Sequence, residues 1–226
     1  MKNNSAVLIF ANSAQKEILK KGILSPELFD KLNEQVLKTV KKSGLEYFLI
    51  TENEQKGNSF GERFSNAIQE IFDKGYDHVI SIGNDTPQLT SAHLKQASEL
   101  LLDHKIVLGP SMDGGFYLMG IHKSLFRRTQ FLKLPWQTTS LVKCVKRLIQ
   151  KSGVASYRLE KLQDIDHAED LNSLLHIFNG VSVGIRRIIV HFLKRRFSFF
   201  EKKQIIEKSS YLHSFYNKGS PEILHI

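Results

Sequence analysis

The sequence predicts an α/β fold: a mostly parallel central sheet with helices on both faces, followed by a helical extension at the C-terminus. Three observations lead there. Short apolar runs of strand length alternate with stretches of helical periodicity across the first 178 residues. The first strand run is apolar at successive positions, as in strands buried on both sides. Glycines close several of the helical stretches, as Gly44 and Gly75 do.

The elements follow in order. Ala6–Asn12 (AVLIFAN) reads as the first strand. Leu28, Leu32, Val36 and Val40 repeat every four residues, which predicts a helix from Pro26 to about Lys42 with Ser25 before it as N-cap. Glu46–Thr51 is the second strand, residues 60–74 a helix built on Phe64, Ile68, Ile71 and Phe72, and His78–Ile82 the third strand. A helix at 91–103, strands at 106–108 and 116–121, a helix at 138–151, a strand at 154–159 and a helix at 167–178 complete the body. Thr138 or Thr139 is the expected cap of the 138–151 helix.

Composition narrows the class. The chain has 226 residues, 41% hydrophobic and 24% charged, enough for a real core and ordinary for a soluble globular protein. Its single cysteine, Cys144, forms no internal bridge, which suits a reduced, cytoplasmic setting. The apolar run from Ala6 to Ala11 is too short for a signal sequence or membrane span. The net charge of +9 points at first to a polyanionic partner. Its distribution says otherwise: residues 1–176 carry 23 Lys+Arg against 20 Asp+Glu, while the last 50 carry 9 against 3. The basic excess belongs mainly to the tail.

Ligands of parallel α/β sheets bind outside the carboxyl ends of the strands. Three acidic positions fall there. Asp85 (GNDTPQLT, 83–90) follows the third strand and suits a divalent cation bridging to phosphate; its structural alternative is a turn or cap ahead of the helix near Thr90. Asp113 (GPSMDGGFYLMG, 109–120) precedes Gly114 and Gly115, which permit close backbone approach to a ligand; an ordinary Asp-Gly turn is the alternative. Asp166 lies in an acidic run with Asp164, Glu169 and Asp170, as a metal ligand or an N-cap, while Glu169 and Asp170 suit the first turn of a helix. The histidines show no metal-ligand spacing, and no P-loop, G-x-S-x-G or G-x-G-x-x-G motif is present.

The segments GNDTPQLT, GPSMDGGFYLMG, LPWQTT and DIDHAEDL, in that order, resemble a group of bacterial proteins related to nucleotide-diphospho-sugar transferases. That group is described as a domain of unknown function or as glycosyltransferase-like, is associated with radical-SAM and arsenosugar genes, and is distantly related to molybdenum-cofactor and 2-phospho-lactate guanylyltransferases. The resemblance covers about residues 6–178 and implies a GT-A, Rossmann-like α/β/α sandwich, with 179–226 as a basic helical extension. It further implies that Asp85 and Asp166 hold a divalent metal (Mg or Mn), with Asn12, Arg63, Gly83 and Asn84 around the nucleotide phosphates. Asp113 becomes the catalytic base or acceptor anchor, and Gly114 and Gly115 line the acceptor site. Trp136, the one tryptophan, can stack there on a base or sugar ring, with packing at a domain edge as the alternative. Arg63 sits in FGERF (60–64), which resembles the Leu-Gly-Glu-Arg-Met segment of those proteins.

One departure bears on the donor. The resembling proteins follow the first strand with a basic loop containing Gly, Pro and Arg. Residues 11–18 here read ANSAQKEI and have none of them, which argues against triphosphate chemistry. Asn12, Lys16, Lys20 and Lys21 are the candidates to compensate, with a solvated helix face as the alternative for Lys20 and Lys21.

In the tail, Ile185, Ile188, Ile189, Phe192, Leu193 and Phe197 share a helical face, with Arg186, Arg187, Lys194, Arg195 and Arg196 interleaved. Such a helix, over 184–200, docks on the body, on a second copy, or on an anionic membrane surface at the inner membrane face. Phe197, Phe199 and Phe200 demand some form of burial, and nucleic acid is disfavoured. The expected function is metal-dependent transfer of a sugar from a nucleotide-diphosphate sugar to a small or lipid-linked acceptor. The alternatives are a nucleotidyltransferase acting on a phosphorylated acceptor, and a catalytically degenerate binding or scaffold module.

Overall fold

A computed structural model of the protein describes residues 4–23, 25–176 and 181–195. Six strands form one sheet: β1 (Ser5–Phe10), β2 (Glu46–Ile50), β3 (His78–Ile82), β4 (Ile106–Pro110), β5 (Phe116–His122) and β6 (Ser156–Arg158). Their order is β2-β1-β3-β5-β4-β6, with β5 running antiparallel to both its neighbours and every other pairing parallel. The mostly parallel sheet expected from the sequence is present.

The helices are α1 (Ala14–Lys21), α2 (Pro26–Ser43), α3 (Phe60–Asp73), α4 (Ser91–Asp103), α5 (Arg128–Leu132), α6 (Leu141–Ser152) and α7 (Ala168–His176). A further helical run covers 183–195. The period of two along β1 explains why its run is continuously apolar. Ala6 and Leu8 join a core cluster with Phe64 and Ile68 of α3, Phe131 of α5 and Val145 of α6. Val7 and Ile9 face the other way, onto Val36 and Val40 of α2 and Leu94 and Leu101 of α4. This is the α/β/α sandwich. Ser25 precedes α2 as expected, although its side chain makes no capping bond and Pro26 sets the first turn.

Two short helices lay outside the sequence reading. α1 follows the first strand directly, and α5 fills the connection before Trp136. The expected cap of α6 is corrected: Ser140 holds the N-cap position without a side-chain bond, while the Thr138 hydroxyl donates to the Pro135 carbonyl. Thr139 lies beside Gly114 instead.

The tail helix docks on the body. Ile185, Ile189 and Leu193 are buried in a third cluster with Leu28, Phe29 and Leu32 of α2 and Leu171 and Leu174 of α7. Arg187, Lys194 and Arg195 are exposed on its outer side. Of the docking modes expected for this apolar stripe, burial on the body is the one seen along 185–193. Phe197, Phe199, Phe200 and Arg196, and the remainder of the 179–226 extension, lie outside the described residues. Among the described residues no helix is long and apolar enough to cross a membrane.

Candidate functional site

Because β1, β3, β4 and β6 run the same way, their following loops meet at one end of the sheet. A cleft of about 1020 Å³ opens there. Asp85, Asp113, Asp164 and Asp166 line it together, as do Asn12, Arg63, Gly83, Asn84, Gly115 and Trp136. Gly114 belongs to the same loop as Asp113.

The centre of the site is Lys21, which the sequence offered only as one of four candidates to compensate for the missing basic loop. α1 starts at an N-cap, Ser13, whose hydroxyl accepts from Lys16 N, and ends at Gly22 in the left-handed region. Between these caps Glu17 and Lys21 are stacked one turn apart and point inward, both buried. The Lys21 Nζ lies 2.8 Å from Asp85 Oδ2, 3.2 Å from Asp166 Oδ1 and 3.5 Å from Glu17 Oε2, and it donates to the Ile165 carbonyl. The Ile165 amide in turn donates to the Asp85 carbonyl at 3.0 Å. One ammonium therefore ties the loop after β3 to the loop before α7.

Electrostatics follow from this arrangement. Burial works against the Lys21 charge, but Asp85, Glu17 and Asp166 outweigh it and raise the affinity of the ammonium for its proton. Burial likewise opposes ionisation of Asp85, yet Lys21 holds its carboxyl below the usual range. Asp164 is the contrary case. Burial first, then the charges of Asp85, Asp113 and Asp166, push its carboxyl up to about 7, against a bond from Ser111.

The expected residues take these places. Asp85 is neither a cap nor a turn-former for α4, which Thr90 caps with a reciprocal bond from His93; its carboxylate belongs to Lys21. Asp113 is exposed in the β4–β5 loop, and its Oδ1 accepts from Gly115 N at 2.8 Å and from the Ser111 hydroxyl. Gly114 has φ +98°, and a Cβ there would sit 2.6 Å from the Thr139 carbonyl oxygen, so both conformation and space call for glycine. The N-terminal turn of α7 is served by Asp170, whose Oδ2 accepts from the amides of Asp166 and His167 at 2.9 and 2.7 Å. That leaves the Asp166 carboxylate for the site.

Asn12 donates to Glu17 Oε1 at 2.6 Å, and its carbonyl accepts from Asn84 Nδ2 at 3.1 Å; Asn84, buried, also donates to Asn33. These two asparagines brace the loops around the acids. Arg63 Nε donates to Gln55 Oε1 at 3.2 Å on the cleft wall. Trp136 donates its indole N–H to the Phe131 carbonyl at 2.7 Å and packs on Phe60 and Phe64, with ring centroids 5.6 and 5.1 Å away. A Cβ on Gly61 would come 2.8 Å from the Trp136 ring, which explains the glycine of the FGERF segment. Its Glu62 closes a capping box with Ser59 at the start of α3.

A divalent metal is what the resemblance implies, and the carboxylates of the cleft are the donors that would hold it. Among the described residues, Asp113, Asp164 and Asp166 each bring a carboxylate oxygen within 4.8 Å of the others. All-oxygen carboxylate donors suit Mg²⁺ or Mn²⁺, and the crowding that pushes Asp164 upward is what a cation would relieve. The group fits there. Asp85 and Asp166 do converge on a cation, but that cation is Lys21.

Comparison with known proteins bears on the fold. Among solved structures, a candidate nucleotide-diphospho-sugar transferase from Desulfovibrio desulfuricans G20 superposes with a TM-score of 0.73 at 21% identity, over 89% of this chain and 98% of its own. At that identity the likeness establishes the fold. More remote are an rv0371c homologue from Mycobacterium sp. strain JC1 (TM-score 0.45, 14% identity, 77% and 96% covered) and a cytidylyltransferase from Leptospira borgpetersenii serovar Hardjo-bovis (0.42, 14%, 86% and 95%). No curated protein matches the sequence. The model of the family described as "Uncharacterized protein conserved in bacteria (DUF2064)" matches residues 27–138. That segment runs from α2 to the turn after Trp136 and holds Asp85 and Asp113, and across it the chain matches the bacterial DUF2064 family.

Proposed function

We propose that this protein is a cytoplasmic, divalent-metal-dependent transferase that moves a sugar from a nucleotide-diphosphate sugar to a small acceptor hydroxyl. The observation that carries the reading is the convergence of Asp113, Asp164 and Asp166 within 4.8 Å at the mouth of one large cleft. Fold likeness alone does not supply an activity; the acidic cluster gives the fold something to do. Held by these three carboxylates, a Mg²⁺ or Mn²⁺ ion would offset the negative charge of a departing diphosphate.

The chain's own groups do the rest. Lys16, Lys20 and Arg63 line the cleft as cations for the donor phosphates. Phe60, Phe64 and Trp136 form an aromatic wall that excludes water on one side and suits the face of a ring. Asp113, anchored by Ser111 and Gly115, would position the acceptor hydroxyl beside the ion it helps to hold; the hydroxyl proton passes to the departing diphosphate as the acceptor oxygen bonds to the sugar carbon and the sugar–phosphate bond breaks. Catalysis of this kind is mostly positioning and charge stabilisation.

A specific contact favours a diphosphate over a triphosphate donor. At the N-terminal turn of α1, where resembling proteins carry a basic loop, Ser13 N donates 2.8 Å to Glu52 Oε2 and the Ser13 hydroxyl donates to Glu52 Oε1. A carboxylate of the chain thus sits where an anionic ligand would be drawn. Titration calorimetry with Mn²⁺ and a panel of nucleoside diphosphates tests the proposal. Binding that needs Mn²⁺ and is lost in Asp164→Asn is expected; no affinity for any nucleoside diphosphate would overturn it. Release of pyrophosphate from a nucleoside triphosphate would instead establish the nucleotidyltransferase alternative.

A further inference from the structure

We infer that Lys21 is a built-in cation of this site: its ammonium takes the position between Asp85 and Asp166 that a divalent ion would fill, so that the cleft carries a single exchangeable ion, on the Asp113–Asp164 side. The count of one ion rests on the transferase reading; the role of Lys21 rests on geometry.

Four oxygens surround the Nζ: Asp85 Oδ2, Asp166 Oδ1, Glu17 Oε2 and the Ile165 carbonyl. The lysine side chain is only 2% exposed, whereas those of Asp85 and Asp166 are 28% and 34% exposed on the cleft side. The ammonium therefore lies beneath the two carboxylates and not in the path of a ligand. A divalent ion needs ligand oxygens at about 2.0–2.6 Å. Placing one between Asp85 and Asp166 would bring it into contact with a buried positive charge, so the two cations exclude one another. An ion held at Asp113 and Asp164 meets no such conflict and can share Asp166.

Charge balance supports the same division. Glu17, Asp85, Asp113, Asp164 and Asp166 bring five carboxyl groups around one ammonium. The ammonium sits among three of them, and the triad that remains close enough for a metal includes the two it does not touch. α1 makes the substitution possible. Its N-cap at Ser13, held by Glu52, and its left-handed end at Gly22 fix the register that aims Glu17 and Lys21 inward.

The rival account is a buried ion pair that only staples two loops. The two accounts differ in metal stoichiometry, so the test counts Mn²⁺ on the full chain without nucleotide, by calorimetry and by the loss of free-Mn²⁺ electron paramagnetic resonance signal. One Mn²⁺ is expected for the wild type, a second for Lys21→Met, and one again for Lys21→Met/Asp85→Asn, in which no uncompensated Asp85 charge remains. Where Lys21→Met is too unstable to titrate, Asp85→Asn serves. With Lys21 as the resident cation it retains the single Mn²⁺ of the wild type, whereas loss of that ion would make Asp85 a metal ligand and overturn the inference. Two ions on the wild type, or one ion at unchanged affinity on Lys21→Met, would overturn it as well. If the wild type binds none and Lys21→Met binds one, the built-in cation stands and the metal-dependent reading of the cleft falls. If neither binds Mn²⁺, both fall.

Discussion

Asp164→Asn tests the electrostatics of the cleft most directly. The Asp164 carboxyl is buried, touched by the fields of Asp85, Asp113 and Asp166, and raised from its ordinary 3.8 to about 7. Each pH unit of that interval corresponds to 1.36 kcal/mol, so ionising Asp164 costs the metal-free folded protein on the order of 4 kcal/mol. Below about pH 4 the carboxyl is protonated in folded and unfolded chains alike, and the cost is absent. Between pH 4 and 7 the folded chain keeps a proton that the unfolded chain has lost, so stability falls as pH rises; above 7 the loss is complete and flat. Asparagine has the shape of the protonated acid and removes this dependence. Urea unfolding of both proteins in EDTA, at half-unit steps from pH 4.5 to 8.5, is the assay. The variant is expected to gain on the wild type by about 1.4 kcal/mol per pH unit up to neutrality, then to hold a constant advantage. Adding Mn²⁺ narrows that advantage at pH 8, because an ion at 100 times its Kd stabilises the wild type by about 2.7 kcal/mol and has lost a ligand in the variant. A stability difference that does not change with pH would refute the crowding of carboxylates on which the reasoning rests.

Three further outcomes are expected. Lys21→Met leaves buried Glu17 and half-buried Asp85 and Asp166 without their cation and should cost about 3 kcal/mol in metal-free urea unfolding at pH 7; a loss under 1 kcal/mol would mean the ammonium holds nothing together. Gly114→Ala forces a side chain into φ +98° against the Thr139 carbonyl, so about 1–3 kcal/mol of strain is expected by thermal unfolding, together with weaker Mn²⁺ binding as Asp113 shifts. Ser13 holds the Glu52 carboxyl below its usual range against the opposing effect of burial, which gives stability present above the ordinary carboxylate pKa and lost as pH falls through the lowered one. Glu52→Gln should therefore destabilise by about 1 kcal/mol at pH 7 and by less at pH 3, and an equal effect at both would show that the contact is not ionic.

The fold was legible because its signals are periodic and local. The continuous apolar run of β1 and the four-residue spacing of α2 each report burial on a sheet face or a helix stripe, and both elements lie within two residues of their expected ends. α1 and α5 are too short for periodicity to show. α1 has mostly polar residues outward and buries a glutamate and a lysine, which no hydrophobic pattern detects. The site was legible where strand ends select it: Asp85, Asp113 and Asp166 were found by position, and they do line one cleft. What could not be read was partnership. Asp164 is separated from Asp113 by more than fifty residues, and only the pairing of β4 with β5 and β6 brings their loops together. Lys20 and Lys21 read alike in the sequence, as compensating cations or as a solvated helix face; adjacent helical residues lie about 100° apart, and that angle alone sends Lys20 to solvent and Lys21 to the core.

α1 also explains how this chain does without the basic loop of the proteins it resembles. Such a loop brings positive charge and unpaired amides to an anionic ligand. Here the same stretch is a helix whose two ends are satisfied from within: Glu52 meets the amide and hydroxyl of Ser13 at one end, and Lys21 meets Asp85 and Asp166 at the other. The exchange moves a cation from the rim of the cleft to its floor. A cation on the floor cannot neutralise the outer phosphates of a triphosphate, but it can hold two acidic loops in place for a ligand that brings less charge. On the proposed reading, exposed Lys16 and Lys20 would meet that ligand's phosphates and the Asp113–Asp164–Asp166 triad its metal. The loss of the loop and the burial of Lys21 are then two sides of one change, and under that reading both favour a donor with a shorter phosphate chain.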